Sequence, residues 1–222
     1  MCLDPQQSVV YQLRLVLSGV SPMIWRRLLL SGNTHLAHLH NILQILFSWS
    51  DERSSRFRIH GKDYEIAEWG EIDFDCDRHS VRLSDLHLHC RERFLYEYDF
   101  TAGWRLEIRL EKILPLDPKR QYPVCIGGSG TGPPEHCAGV WAYLEQRDRD
   151  FSHPPIEDLS LLAVAVGRVL ESGDRRLIGD LDELREVLQR VDAYRRRQTD
   201  HFDRRLVNRQ LQIVAETEGG QP

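Results

Sequence analysis

Cysteine is scarce in this sequence, and its distribution does not suit a disulfide-bonded protein. The 222-residue chain has five cysteines, an odd number, at Cys2, Cys76, Cys90, Cys125 and Cys137. Such scattered cysteines favour reduced thiols over a disulfide framework. Paired Cys-x2-Cys spacing is missing too, and Cys125 and Cys137 with His136 would supply only three ligands. The sequence therefore predicts no metal site and no cofactor.

Long apolar runs and an excess of positive charge are also lacking. No segment approaches the roughly 18 apolar residues that a transmembrane helix needs. The start of the chain, residues 1–5, lacks the basic-then-apolar pattern of a signal peptide. We therefore expect a cytoplasmic protein without a membrane partner. The net charge of −5 gives no global attraction to nucleic acid, so DNA binding would need a local basic patch.

One segment near the C-terminus has such a local excess. Eight arginines and four acidic residues lie between Arg185 and Gln210, an excess of four positive charges. This segment could contact phosphates and bind DNA weakly. The alternative is a solvated helical face with ion pairs, since no aromatic residues interleave with the basic ones. The nucleic-acid candidates are Arg195, Arg196, Arg197, Arg204 and Arg205.

The first half of the chain alternates between strand and helix patterns. Residues 9–17 and 24–30 alternate apolar and polar side chains around a Gly/Pro turn, which predicts a β-hairpin. A helix over 34–47 follows, with Asn33 or Thr34 as its N-cap. Two more strands are predicted near 57–60 and 81–83. The apolar face of the predicted helix consists of Leu36, Leu39, Ile42, Leu43 and Leu46.

An aromatic hairpin is the most informative feature. Residues 94–100 predict a strand, residues 101–103 a tight turn, and residues 104–110 a second strand with period-two alternation. Asp99 stands at the turn, where it could serve chemistry or only an Asx-type hydrogen bond. Large aromatic surfaces surround it: Tyr98, Phe100 and Trp104.

A Gly/Pro-rich excursion about thirty residues later places an acid, an imidazole and a thiol side by side: Glu135, His136 and Cys137. We expect this Pro-Pro-Glu loop to contact the hairpin and frame the principal pocket. The carboxylate of Glu135 could be catalytic, or it could cap the helix predicted near Val140. Residues 127–132 are glycine-rich but lack the features of a phosphate-binding loop, so we predict a flexible loop.

These blocks resemble the plasmid pRiA4b ORF-3-like family, some members of which are labelled as passengers of insertion elements. The resemblance covers residues 9–143. It rests on the opening hairpin, Trp49, residues 57–59, residues 81–86, the aromatic hairpin and the Pro-Pro-Glu loop. It implies no particular reaction. Where the family usually has Gly-Asp-Gly-Trp this chain has Thr101-Ala102-Gly103-Trp104, and residues 53–56 lack the family's histidines.

Taken together, the patterns predict an α+β protein with a β-grasp-like mixed or antiparallel sheet, a crossing helix and a long aromatic hairpin. A C-terminal helical region follows, with domains at 1–150 and 151–222; residues 159–170 are apolar nearly all round, which suits a helix packed on two sides. The leading interpretation is a non-enzymatic binding or accessory protein, associated with a plasmid or mobile element, with an unknown protein or nucleic-acid partner. The alternative is a hydrolase or nucleic-acid-processing enzyme, with or without a metal, centred on Asp99, Glu135 and His136.

Overall fold

The computed structural model describes residues 9–66, 81–152, 155–198 and 202–218. The chain divides into two compact units. The first unit runs through Tyr143 and resumes at His201, and the second is Leu144–Asp200. The helical segment of the second unit therefore interrupts the first unit in sequence.

The first unit is built on a seven-stranded sheet in which every pair of neighbouring strands is antiparallel. The spatial order is β4-β3-β5-β6-β1-β2-β7. Both predicted hairpins are confirmed: β1 pairs with β2, and β5 pairs with β6. The strands are β1 (Val9–Leu17), β2 (Trp25–Ser31), β3 (Ser55–Ile59), β4 (Lys62–Ile66), β5 (Arg93–Tyr98), β6 (Trp104–Pro115) and β7 (Val124–Ser129).

Helix α1 (Leu36–Phe47) provides much of the core of this unit. The five apolar residues that the sequence assigned to its inner face are all buried, because their helical spacing puts them on one side. His35, rather than Asn33 or Thr34, occupies the N-cap position. The amide of Gln44 donates to the Tyr96 hydroxyl at 2.8 Å, which fixes α1 against β5.

The last helix, α5 (Arg204–Glu218), returns to the first unit beside β7. The side chain of Asn208 accepts from the Cys125 amide at 2.7 Å and donates to the Cys125 carbonyl at 2.9 Å. One side chain thus satisfies both backbone groups of Cys125 that β2 does not pair.

Two local predictions were wrong. The glycine-rich segment begins as the end of β7, where Gly127 and Gly128 pair with Arg27 and Arg26, and is not a loop throughout. Residues 81–83 form no extended strand: Arg82 makes an isolated bridge to His35, and a short 3-10 helix spans Leu83–Leu86. In the glycine-rich segment, glycine weakens the sequence pattern by which a strand is recognised. At residues 81–83 the chain turns immediately into the 3-10 helix, so no strand forms.

The second unit is helical. It contains the end of α2 (Val140–Ser152), then α3 (Ile156–Ser172) and α4 (Leu181–Gln198). Arg190 on α4 makes a bidentate ion pair with Asp158 on α3, at 2.9 and 2.7 Å. The expectation that the apolar helix would be packed on two sides was wrong, since Val164 is 53% and Leu170 78% exposed. A cavity of about 390 Å³ lies between α3 and α4, beside Val164 and Leu184.

The α+β class and the C-terminal helical region are confirmed. The sheet is antiparallel, and its β-grasp likeness stays a prediction, as do the domain limits at 150 and 151. Among the described helices, none combines the length and apolar character that crossing a bilayer requires.

Candidate functional site at the hairpin and the Pro-Pro-Glu loop

Asp99 stabilises the turn between β5 and β6. Its backbone is left-handed, with φ of 51°, a conformation that Asp tolerates better than most residues. One oxygen, Oδ1, accepts from the amides of Thr101 and Ala102, both at 3.0 Å. These are the Asx-type hydrogen bonds that the structural interpretation predicted.

Glu135 joins the Pro-Pro-Glu loop to two other segments. Its Oε1 accepts from the amide of Ser50 at 2.8 Å and from the Tyr98 hydroxyl, and its Oε2 accepts from the Ser50 hydroxyl at 2.5 Å. Both oxygens are therefore engaged. No capping of α2 by Glu135 is seen in the described part of the chain, so its role is structural but differs from the one predicted.

The hydrogen bonds to Glu135 shift two pKa values. Burial alone would raise the pKa of the Glu135 carboxyl, but the bonds from Ser50 and Tyr98 outweigh it, and the pKa lies below the ordinary value. Burial raises the pKa of Tyr98 well above its ordinary value, and the neighbouring Glu135 carboxylate adds to the shift. At neutral pH Glu135 is thus an ionised acceptor and Tyr98 a neutral donor.

A stack of three aromatic rings supports this contact. Trp49 lies between Phe47 and Tyr98, with ring centroids 5.1 and 4.7 Å away and nearly parallel planes. The Trp49 indole donates to the Pro133 carbonyl at 3.2 Å. The expected contact between the hairpin and the loop is therefore present: Tyr98 bonds directly to Glu135, and Trp49, just after α1, stacks on Tyr98 and bonds to Pro133.

A second polar group surrounds the fully buried His40. The Tyr96 hydroxyl lies 2.7 Å from Nδ1 of His40 and the Ser55 hydroxyl 3.3 Å from it, while Nε2 contacts Asp51. The group resembles a Ser-His-Asp arrangement in composition. Ser55 is itself buried, however, so its hydroxyl is sealed from substrate, and the group serves to hold α1 on the sheet.

Trp104 is buried next to the contact of hairpin and Pro-Pro-Glu loop, which we call the junction. It pairs across the hairpin with Tyr98, so the two side chains share one face of the sheet. Its ring is buried and meets Tyr143 of α2 edge-on, with centroids 6.2 Å apart. Among the described residues its indole nitrogen has no hydrogen-bond partner. Because Glu135 bonds to Tyr98, Trp104 and Glu135 are on the same side of the sheet.

The other candidates divide between surface and interior. His136 is exposed, whereas Cys137 is buried and burial raises the pKa of its thiol. Burial likewise raises the pKa of Cys125. Both are free thiols. In the described part of the chain no group of three or more His, Cys, Asp or Glu side chains is placed to hold a metal ion.

Two exposed aromatic side chains flank the junction. Phe100 at the hairpin turn is 47% exposed, and Trp141 in the first turn of α2 is 86% exposed. A Cβ on Gly139 would overlap the carbonyl of Ala102, so the start of α2 touches the turn directly. Phe100 lies two residues before Ala102 and Trp141 two residues after Gly139 in the sequence, and Phe100 contacts Arg56, which is on the other face of the sheet from Glu135.

Sequence reasoning missed Trp141 and Ser50. A signal for Trp141 existed: it falls off the apolar stripe of Val140, Tyr143 and Leu144 and shares a helix face with Glu145. No signal marked Ser50, because its bonds to Glu135 join positions 85 residues apart.

The predicted basic patch lies on two units. Arg195 is exposed, with an ion-pair distance of 3.8 Å to Asp192, and belongs to the second unit. Arg204 and Arg205 belong to the first unit, and Arg204 donates to the Ile126 carbonyl at 3.0 Å. The side chains of Arg196 and Arg197 lie outside the described residues. The nucleic-acid patch stays a prediction.

The fold and the site together define the class of this protein. It is an antiparallel α+β unit in which a carboxylate and stacked aromatic rings join the hairpin turn to a Pro-Pro-Glu loop. The chain belongs to the plasmid pRiA4b ORF-3-like family, whose family model matches residues 9–160.

Similar proteins include one curated sequence and one solved structure. The uncharacterised protein y4hQ of Sinorhizobium fredii is 30% identical over 138 residues, which cover 61% of this chain and 70% of that protein. A crystal structure of MM3350 from Methanosarcina mazei Go1, a protein of unknown function, is 32% identical with a TM-score of 0.58. The match covers 68% of this chain and 86% of the MM3350 chain.

Proposed function

We propose that this protein is a non-enzymatic binding or accessory protein that recognises a partner through its junction surface. By junction surface we mean the exposed side chains of Phe100 at the hairpin turn, His136 in the loop and Trp141 in the first turn of α2. The other predicted binding residues, Tyr98, Asp99, Trp104, Glu135 and Cys137, support this surface from within.

The observation that carries the proposal is the engagement of the two candidate catalytic carboxylates. Both oxygens of Glu135 accept hydrogen bonds from Ser50 and Tyr98, and Asp99 accepts two amides of its own turn. A general base must be able to take a proton from substrate, and these carboxylates are committed to holding the fold. The hydrolase alternative retains only His136 as an exposed group.

The partner we infer is a protein with an apolar patch. Phe100 and Trp141 together offer two large exposed aromatic surfaces, and aromatic side chains are enriched at the energetic centres of protein interfaces. The guanidinium of Arg56 lies over the Phe100 ring at 5.1 Å and restrains it. The family's description supports a plasmid or mobile-element setting, and the free thiols support a cytoplasmic one.

The test compares affinity capture from a host lysate by the wild type and by the double variant Phe100→Ser/Trp141→Ser. A specific partner should be captured by the wild type and lost by the variant. The matched control is Ile113→Ser/Leu116→Ser, which removes two apolar side chains of 44% and 41% exposure at the far end of β6. The control should capture the same partner.

Equal capture by all three proteins would contradict the proposal. So would an enzymatic activity of the purified protein that disappears in Asp99→Asn or Glu135→Gln while the melting temperature is unchanged.

A further inference from the structure

Four arginines lie side by side across four adjacent strands. Arg14 on β1 is directly opposite Arg27 on β2 and Arg109 on β6, and Arg109 is directly opposite Arg93 on β5. With about 4.8 Å between neighbouring strands, this arginine row is about 14 Å long. Like charges placed directly opposite each other destabilise a sheet, so the row has a cost for folding.

The arginine row lies on the face of the sheet that points away from the core. Successive residues of a strand point to opposite faces, and the strand neighbours of the two central arginines are completely buried. These neighbours are Leu13, Leu15, Ile108 and Leu110. The row is therefore on the other side of the sheet from α1 and from Glu135, and the inference does not depend on the proposed function.

The outer arginines have carboxylate partners. Arg27 makes a bidentate pair with Glu111, at 2.7 and 2.9 Å, and Arg93 pairs with Glu107 at 3.0 Å. Glu107 and Glu111 are interleaved with the arginine row. The four arginines and these two acids together carry a net charge of +2.

The central arginines, Arg14 and Arg109, differ. No carboxylate of the described residues lies within 4.0 Å of either guanidinium. Arg14 contacts the sulfur of Met23 at 3.4 Å and lies 5.7 Å from the centre of the Trp25 ring. The Nε atoms of Arg14 and Arg109 are buried without a hydrogen-bond partner among the described residues. Two adjacent guanidinium groups with no described carboxylate within 4.0 Å suit an oxyanion.

We propose that Arg14 and Arg109 form a binding site for the phosphate monoester group of a small molecule. A phosphate monoester carries close to two negative charges at neutral pH, which matches the net +2 of the row. The protein as a whole carries −5, so its long-range field opposes a long polyanion more than a small dianion. Trp25, beside Arg14, provides an apolar surface for the organic part of the ligand.

Isothermal titration calorimetry at constant ionic strength tests this site, with inorganic phosphate and adenosine monophosphate as probes. Both should bind the wild type. The double variant Arg14→Gln/Arg109→Gln should bind at least about tenfold more weakly, because it loses charge-assisted hydrogen bonds. Each single glutamine variant should show a smaller loss of the same kind.

The matched control is Arg58→Gln/Arg105→Gln, which also removes two positive charges from this face. Both arginines are already paired, Arg58 with Asp63 at 2.8 Å and Arg105 with Glu97 at 2.9 Å. This control should bind within about twofold of the wild type, because a nonspecific change in surface charge is largely screened by salt.

Three results would overturn the proposal. The first is no binding of either probe by the wild type. The second is equal binding by the wild type and the glutamine variants. The third is that a 12-residue oligo-dT binds through Arg14 and Arg109 while phosphate and adenosine monophosphate do not, which would assign the row to single-stranded nucleic acid.

Discussion

At the scale of single residues, two carboxylates hold the hairpin turn and the Pro-Pro-Glu loop in place. Glu135 accepts three hydrogen bonds from two other segments, two from Ser50 and one from the Tyr98 hydroxyl. Asp99 accepts two from amides of its own turn. A carboxylate accepts hydrogen bonds strongly only while it is ionised, so the structural role of Glu135 depends on its charge.

Glu135→Gln should lower the free energy of unfolding by about 1–3 kcal/mol, because an amide NH₂ then faces donors that a carboxylate accepted. Urea unfolding at pH 7 measures the loss. Glu52→Gln, an exposed position beside the same contact, should leave the midpoint unchanged. Equal midpoints for Glu135→Gln and the wild type would show that these hydrogen bonds contribute nothing to stability.

The same variant should show a defined pH dependence. The pKa of Glu135 in the folded state lies below its ordinary value of 4.5, so its contribution to stability is present above that value. The contribution is lost as the pH falls through the lowered pKa. The stability difference between the wild type and Glu135→Gln should therefore be complete at pH 7 and shrink below about pH 4.5. A difference that grows on acidification would contradict this sign.

The candidate site was predictable from sequence only in part. Tyr98, Asp99 and Glu135 were identified because aromatic residues and acids are conspicuous at a turn and in a Gly/Pro loop. Their roles were not, since the partner of Glu135 at Ser50 is fixed only when α1 and the loop are assembled. The arginine row was missed for the same reason: only strand register puts Arg14 beside Arg109.

At the scale of elements, close packing of the loop against α1 holds the junction together. A Cβ at Gly132 would lie 2.8 Å from the carbonyl carbon of Phe47 and 3.0 Å from its Cα. These are backbone atoms at the end of a helix, which cannot move aside as a flexible side chain would. Glycine is thus required at position 132 for the loop to approach the end of α1 closely. The hydrogen bond from Trp49 to Pro133 completes the contact beside it.

Gly132→Ala should therefore cost about 2–4 kcal/mol of stability, because the loop must lift away from α1. Thermal melting measures the loss, and Gly61→Ala is the control variant. Gly61 has φ of +76° but nothing within 4 Å of its Cβ direction, so its substitution should cost only about 1 kcal/mol of backbone strain. A smaller loss for Gly132→Ala than for Gly61→Ala would show that the loop adjusts freely.

The element pattern itself was largely predictable. Period-two alternation identified both long hairpins, and helical spacing identified the five buried residues of α1, because these segments bury one face each. Strand β7 was missed because its pairing with β2 and the contacts of Asn208, 83 residues away, replace the local signal that glycine removes. Helix α3 was predicted correctly. Its burial was predicted wrongly, because exposure depends on what surrounds the helix.

At the scale of the whole molecule, charge is distributed so that the chain is acidic overall while the segment 185–210 is basic. The local excess of four is smaller in three dimensions than in sequence. Arg185 pairs with Asp182 and Arg190 with Asp158, and both acids lie outside the segment. Counting them leaves eight arginines against six acids, an excess of two, which limits how many phosphates this region can neutralise.

DNA binding by this region should therefore be weak, with a dissociation constant of about 10⁻⁴–10⁻⁶ M, and only moderately salt-dependent. For an excess of two charges, affinity for a double-stranded probe should fall roughly sevenfold between 0.05 and 0.15 M salt, as measured by fluorescence anisotropy. An Arg195→Ala/Arg196→Ala/Arg197→Ala variant should weaken binding. The control Lys112→Ala/Lys119→Ala/Arg120→Ala removes the same charge from exposed positions and should not weaken binding.

A fall in affinity of about fiftyfold over the same salt range would mean that all four charges of the sequence excess contact phosphate. Nanomolar, sequence-selective affinity at 0.15 M salt would contradict the prediction altogether, because so few charges cannot supply it.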